Sequence, residues 1–264
     1  MKLTETQTIE IEDFLKKTLL RIILAKSTGK NKEPDAKPFH ERLIGKERMA
    51  LFSFIQGLNT SFGTGIFESV AGLLAKPNFK IVKPQIKAGS LISEEAFKVI
   101  QNIMNDLISA RSLPDKETEI ERIREVCQKG VLVEVKPTKV DVFLEDENNE
   151  LFFFDIKTVK PNMGGFKEFK RTLLEWVAAV LADNPNAKIN TLIAIPYNPY
   201  DPQPYNRWTM RGMLDLSNEL KVAEEFWDFL GGTGAYLDLL DIFERVGIEL
   251  RGEIDEYFQK FNVK

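Results

Sequence analysis

Two runs rich in Val and Phe, residues 140–145 and 151–157, are separated by only Asp146-Glu147-Asn148-Asn149-Glu150. Apolar runs of this length joined by so few turn residues read as a β-hairpin. The hairpin constrains the rest of the chain because its open end is charged. Asp141 lies near the start of the first strand, and Asp155-Ile156-Lys157 ends the second. Side chains alternate along a strand, so Asp155 and Lys157 point the same way. If Asp146 pairs with Glu150 around a three-residue turn, Asp141 falls opposite Asp155 on one face. Directly opposed carboxylates repel, and Lys157 together with a divalent cation would compensate them. The donors are oxygens with no histidine or cysteine nearby, which favours Mg²⁺ over Zn²⁺. Phe152, Phe153 and Phe154 would bury the strand that leads to the carboxylates and hold them rigidly.

Scarcity removes the rival chemistries. The 264 residues contain one histidine, His40, and one cysteine, Cys127. His-based zinc sites and most His/Cys clusters are thereby excluded, and a Ser-His-Asp machine would have to run through His40. Cys127 has no intrachain disulfide partner and reads as a small buried hydrophobe of an intracellular, cytoplasmic protein. No apolar run reaches the length of a membrane span, and the polar N-terminus lacks the apolar stretch of a signal peptide.

The net charge of −4 hides an uneven distribution. Residues 213–264 hold 12 acidic against 5 basic side chains, so the preceding part carries +3. The densest positive stretch, Lys157, Lys160, Lys167, Lys170 and Arg171, directly follows the carboxylates. A basic segment beside paired acids points to a phosphodiester substrate.

Around the hairpin the pattern predicts a single domain, 1–264. Residues 1–130 read as largely helical, with a break at 59–65 followed by a helix that carries Glu68 in its first turn, an irregular or extended stretch over 76–91, and Ser93 as an N-cap. Residues 131–196 hold three strand signals, an amphipathic helix over 166–182 and a buried strand over 191–196. Residues 197–264 hold a Pro/Tyr/Asn-rich loop (197–208) and C-terminal helices. Gly231-Gly232-Thr233-Gly234 follows a helix rather than a strand, so it reads as a C-cap and turn, not a phosphate loop. The order helix, hairpin, helix, strand indicates an α/β sandwich around a mixed sheet.

Asp141, the hairpin and Asp155-Ile156-Lys157 resemble the PD-(D/E)xK nuclease signature, with Pro137 four residues upstream of Asp141 rather than adjacent to it. Three segments, 62–68, 151–162 and 225–232, together resemble type II restriction endonucleases of the TdeIII kind. The resemblance implies a restriction-endonuclease-like core: a mixed central β-sheet flanked by helices, with helical additions at both ends. It implies Mg²⁺ held by Asp141, Asp155 and the Ile156 backbone carbonyl, with Glu68 as a further ligand, directly or through water. Lys157 would orient or deprotonate the attacking water. Cleavage would leave 5′-phosphate and 3′-hydroxyl ends at a GGNCC-type site in double-stranded DNA. A homodimer and a separately encoded DNA methyltransferase are the implied partners.

Lys160, Lys167, Lys170 and Arg171 are candidates for phosphate contact. Asn162 and Arg207 are candidates for reading base edges. A repair nuclease, resolvase or nickase on the same core, or a DNA-binding module without catalysis, stays open from the residues alone.

Overall fold

The computed structural model describes residues 3–28, 37–136, 138–157, 163–206, 210 and 212–261. Three helices come first: α1 (Glu5–Thr28), α2 (Pro38–Ser61) and α3 (Phe67–Ala75). Strands β1 (Ile81–Lys87) and β2 (Leu91–Ser93) lead to α4 (Glu94–Ile108), α5 (Lys116–Arg124) and β3 (Leu132–Glu134). The hairpin β4 (Lys139–Glu145) and β5 (Glu150–Ile156) is followed by α6 (Met163–Asp183), β6 (Lys188–Ile195) and β7 (Leu220–Val222). Helices α7 (Glu224–Gly231), α8 (Ala235–Glu249) and α9 (Arg251–Gln259) close the described chain.

The main sheet has five strands in the order β1-β4-β5-β6-β7. β1, β4 and β5 are antiparallel, whereas β5, β6 and β7 are parallel, with α6 as the crossover from β5 to β6. This is the mixed, helix-flanked sheet that the sequence predicts. The hairpin is central and is covered on both faces. Phe153 packs towards α6 beside Trp176 and Val177. Phe154 and Phe152 pack on the opposite side against Phe226 and Phe229 of α7. The Phe152-Phe153-Phe154 run thus feeds two cores through strand alternation. Burying the rings of Phe153 and Phe154 contributes about 1.5–3 kcal/mol each.

Several elements differ from the pattern-based expectation. The break at 59–65 is instead a π-helical turn, Phe62–Ile66, that carries α2 directly into α3. The Thr60, Ser61 and Thr64 hydroxyls donate to the carbonyls of Gln56, Gly57 and Thr60, four residues back, a bonding that bends helices without ending them. The 76–91 stretch contains β1, which tolerates Pro84 because it is an edge strand with no ladder to complete on its outer side. The 131–135 signal forms β3, but it pairs with β2 in a separate two-stranded sheet. Three-residue β7 was not predicted. Ser93 caps α4 as expected, its Oγ accepting from Ala96 N at 3.0 Å. Gly232 takes φ +87° where α7 ends, the left-handed conformation of a helix C-cap. Cys127 is buried. No helix of the described residues is long and apolar enough to cross a membrane.

Candidate active site

The hairpin turn closes on Asp146. Its N–H donates to the Glu150 carbonyl at 3.1 Å, and its Oδ1 accepts the N–H groups of Asn148 (2.9 Å) and Glu150 (2.7 Å). Asn149 takes a left-handed φ of 59°, a conformation Asn tolerates better than most residues. The ladder then runs Glu145↔Leu151, Leu144↔Phe152, Phe143↔Phe153 and Val142↔Phe154. The next position in that register sets Asp141 against Asp155. Both are buried, 9% and 5% exposed. Asp141 Oδ2 accepts the Ile156 backbone N–H at 2.8 Å, so the carboxylate of β4 ties down the end of β5.

Lys157 joins them from the strand end. Its Nζ is 2.5 Å from Asp155 Oδ1 and sits 5.0 Å from the centre of the Phe169 ring on α6. Burial, aided by the nearby Asp141 and opposed by Lys157, pushes the Asp155 carboxyl up from its ordinary range to about 7. Asp155 therefore resists ionisation chiefly because it is buried.

Glu68 reaches the same place from α3. It is 4% exposed, and the π-turn immediately before it sets the direction in which the helix presents it. Two residues absent from the sequence-based candidates hold it there. Lys139 Nζ lies 3.1 and 3.2 Å from its two oxygens and 3.5 Å from Asp141 Oδ1. Gln85 Nε2 donates to Glu68 Oε2 from the edge strand. Burial alone would lower the Lys139 pKa, but Glu68 and Asp141 outweigh it and raise it. Gln85 has φ 56°, an uncommon and strained value for a residue other than glycine. It stands opposite Asp141 in the β1–β4 register, and the alternation of the two strands breaks here. Ile86 and Val140 belong to the α6-side core, whereas Val82, Val142 and Leu144 belong to the other.

The signal for Lys139 was present in the sequence. Lys139-Val140-Asp141 and Asp155-Ile156-Lys157 are mirror images on antiparallel strands, so each aspartate has a lysine two residues towards the open end. Gln85 had no comparable signal, because its role depends on a backbone conformation that the sequence does not announce.

The proposed DNA contacts fare differently. Lys160, Asn162 and Arg207 lie outside the described residues. Lys167 is exposed on α6. Lys170 needs correction as a phosphate contact: it is wholly buried, with Nζ 2.5 Å from Glu119 and 2.6 Å from Glu219. Lys116 completes this inner network, 2.9 Å from Glu219 and 2.6 Å from Thr191 Oγ1. Lys170 looked like part of a basic surface because its neighbours in sequence are basic, but it falls on the inward face of α6. Arg171 is half-buried, donating to Gln101 at 2.9 Å and pairing with Glu175 at 4.0 Å. It braces α6 against α4. His40 is exposed on α2.

The oxygens positioned to hold a cation are those of Asp141 and Asp155, with Glu68 adjacent across Lys139. Among the described residues, no three His, Cys, Asp or Glu side chains gather into a group that could hold a metal ion.

Sheet order, crossover helix and the placing of acids and lysine at the open end of a central hairpin set the chain in the restriction-endonuclease-like class. A family model described as "Type II restriction endonuclease, HinfI" matches residues 7–247. The type II restriction enzyme HgiCII of Herpetosiphon aurantiacus is 25% identical over 83% of this chain and 81% of its own length. HgiEI of the same organism is 25% identical over 86% and 82%. MjaII of Methanocaldococcus jannaschii is 30% identical over 75% of this chain and 55% of its own length. The chain belongs to the HinfI family of type II restriction endonucleases, and it is accordingly a nuclease whose substrate is DNA. The narrower TdeIII-like grouping rests on the sequence segments alone.

Proposed function

We propose that the protein is a Mg²⁺-dependent, sequence-specific endonuclease that cuts both strands of duplex DNA and leaves 5′-phosphate and 3′-hydroxyl ends. The observation that carries this reading is the opposition of Asp141 and Asp155 beside Lys157. Mg²⁺ needs only one or two carboxylates, because waters and substrate phosphate oxygens complete its shell. The donor set fits: two buried carboxylates, hard oxygens only, and the Ile156 carbonyl between Asp155 and Lys157 in sequence. Mg²⁺ bound there would stabilise the charge that develops on the scissile phosphate and its attacking and leaving oxygens.

The protein's own groups supply the rest. Lys157, oriented by Asp155 and Phe169, holds a positive charge and a transferable proton where the attacking water and the phosphate meet. Asp141 fixes the end of β5 and so fixes Lys157. The target belongs to the GGNCC type. A palindrome read by two active sites requires a two-fold homodimer. Support for a second copy comes from α2, which packs inward through Phe54 on α1 and α9 and leaves Phe39, Leu43, Leu51, Phe52 and Ile55 exposed. Phe39 and Leu43 precede the break in α2 at Gly45, where φ is 82°, and Leu51, Phe52 and Ile55 follow it. A methyltransferase of matching specificity, separately encoded, protects the host sites.

The test is incubation of plasmid DNA with the protein and Mg²⁺, followed by mapping of the cut ends. Discrete fragments from wild type are expected, with at least about 10³-fold less cleavage by Asp155→Ala and by Lys157→Ala. No cleavage by wild type, or undiminished cleavage by both variants, would sink the reading.

A further inference from the structure

Three formal negative charges (Glu68, Asp141 and Asp155) and two positive ones (Lys139 and Lys157) make up the site. Lys157 pairs with Asp155. Lys139 is shared: it touches both oxygens of Glu68 and approaches Asp141 Oδ1 at 3.5 Å. The two acids are buried, whereas the Lys139 side chain is 46% exposed. The ammonium therefore enters from the solvent side and can leave the same way. Glu68 would not follow it, because Gln85 holds that carboxylate independently.

A compact ammonium shared by two carboxylates occupies the electrostatic position that a divalent cation beside Asp141 would seek. A cation arriving there meets either the repulsion of Lys139 or the space that Lys139 vacates. On its other side Lys139 stands opposite Lys87 of β1 in the strand register, so a second ammonium adjoins the place from which it reaches the acids.

We propose that Lys139 is a built-in counter-cation. It holds Glu68 and Asp141 together, competes with the divalent ion for that position, and withdraws towards solvent when the ion binds. The proposal rests on the reading of Asp141 and Asp155 as metal-holding residues.

Calorimetric titration of Ca²⁺ into the DNA-free, full-length protein tests it, with wild type, Lys139→Met, Lys139→Arg and Asp155→Ala compared. Lys139→Met is expected to bind Ca²⁺ at least about tenfold more tightly than wild type, while Lys139→Arg stays near wild type. A residue with a merely structural role would shift affinity in the opposite direction when removed. Unchanged, weaker or absent Ca²⁺ binding by Lys139→Met overturns the proposal. Failure of the underlying metal reading shows separately, as Ca²⁺ binding by Asp155→Ala equal to that of wild type.

Discussion

Asp141 Oδ2 accepts the backbone N–H of Ile156 at 2.8 Å, one step beyond the last ladder pair of the hairpin. The same carboxylate therefore has two duties, one to the backbone and one to the reaction. Substitution separates them. Asp141→Asn keeps an oxygen for the Ile156 N–H and is expected to melt near wild type while losing at least about 100-fold in cleavage. Asp141→Ala is expected to lose about 1–3 kcal/mol of stability as well, because a buried N–H is left without its acceptor. Thermal melts alongside initial cleavage rates check both; equal melting temperatures for the two variants would contradict the structural duty.

The Asp155 carboxyl, raised to about 7 chiefly by burial, makes stability depend on pH. The folded chain binds this proton more tightly than the unfolded chain. The contribution is thus complete below about pH 4 and is lost as pH rises through 7. Asp155→Asn carries the neutral form at every pH. In cation-free buffer, the variant should gain on wild type by about 2–3 kcal/mol between pH 5 and pH 8. Urea unfolding at the two pH values measures this, and a constant difference between the proteins would refute it.

Lys170 and Lys167 lie three residues apart on α6 and should behave as opposites. Lys170→Met strands Glu119 in the interior, while Glu219 keeps Lys116, and is expected to cost about 3–5 kcal/mol in unfolding free energy. Lys167→Ala should leave unfolding unchanged. If Lys167 meets a phosphate, its removal lowers the salt dependence of DNA binding by about one counterion. Denaturant melts and binding titrations across a range of salt concentrations distinguish the two.

Association through α2 predicts a mass. Light scattering on wild type should return twice 30.2 kDa, and the double variant Leu51→Glu/Phe52→Glu should return the single value with its helical content intact. A wild-type monomer at micromolar concentration would remove the second copy from the proposed function.

The parts of the fold that were legible in the sequence are those written in local chemistry. The hairpin followed from alternation and turn residues, the α4 start from Ser93, and the α7 end from Gly232. Strand β1 was not legible, since Pro84 and the polar side chains of an edge strand do not look like a buried ladder. The π-turn was not legible either, because Gly63 and Gly65 signal a break that the Thr and Ser hydroxyls repair. Lys170 was misplaced for a related reason: charge density along the chain says nothing about which face of a helix a side chain takes. Within the site, the residues on one strand or its partner were recoverable from spacing. Gln85 became visible only with its left-handed backbone.

The π-turn has a mechanical consequence. Because α2 passes into α3 without a loop, residues 46–75 form one continuous helical path roughly 45 Å long, with exposed Leu51, Phe52 and Ile55 in its first half and Glu68 in its second. A substitution on that surface and one at Glu68 therefore act on the same piece of backbone. A screen that scored cleavage alone would take a fault in assembly for a fault in catalysis.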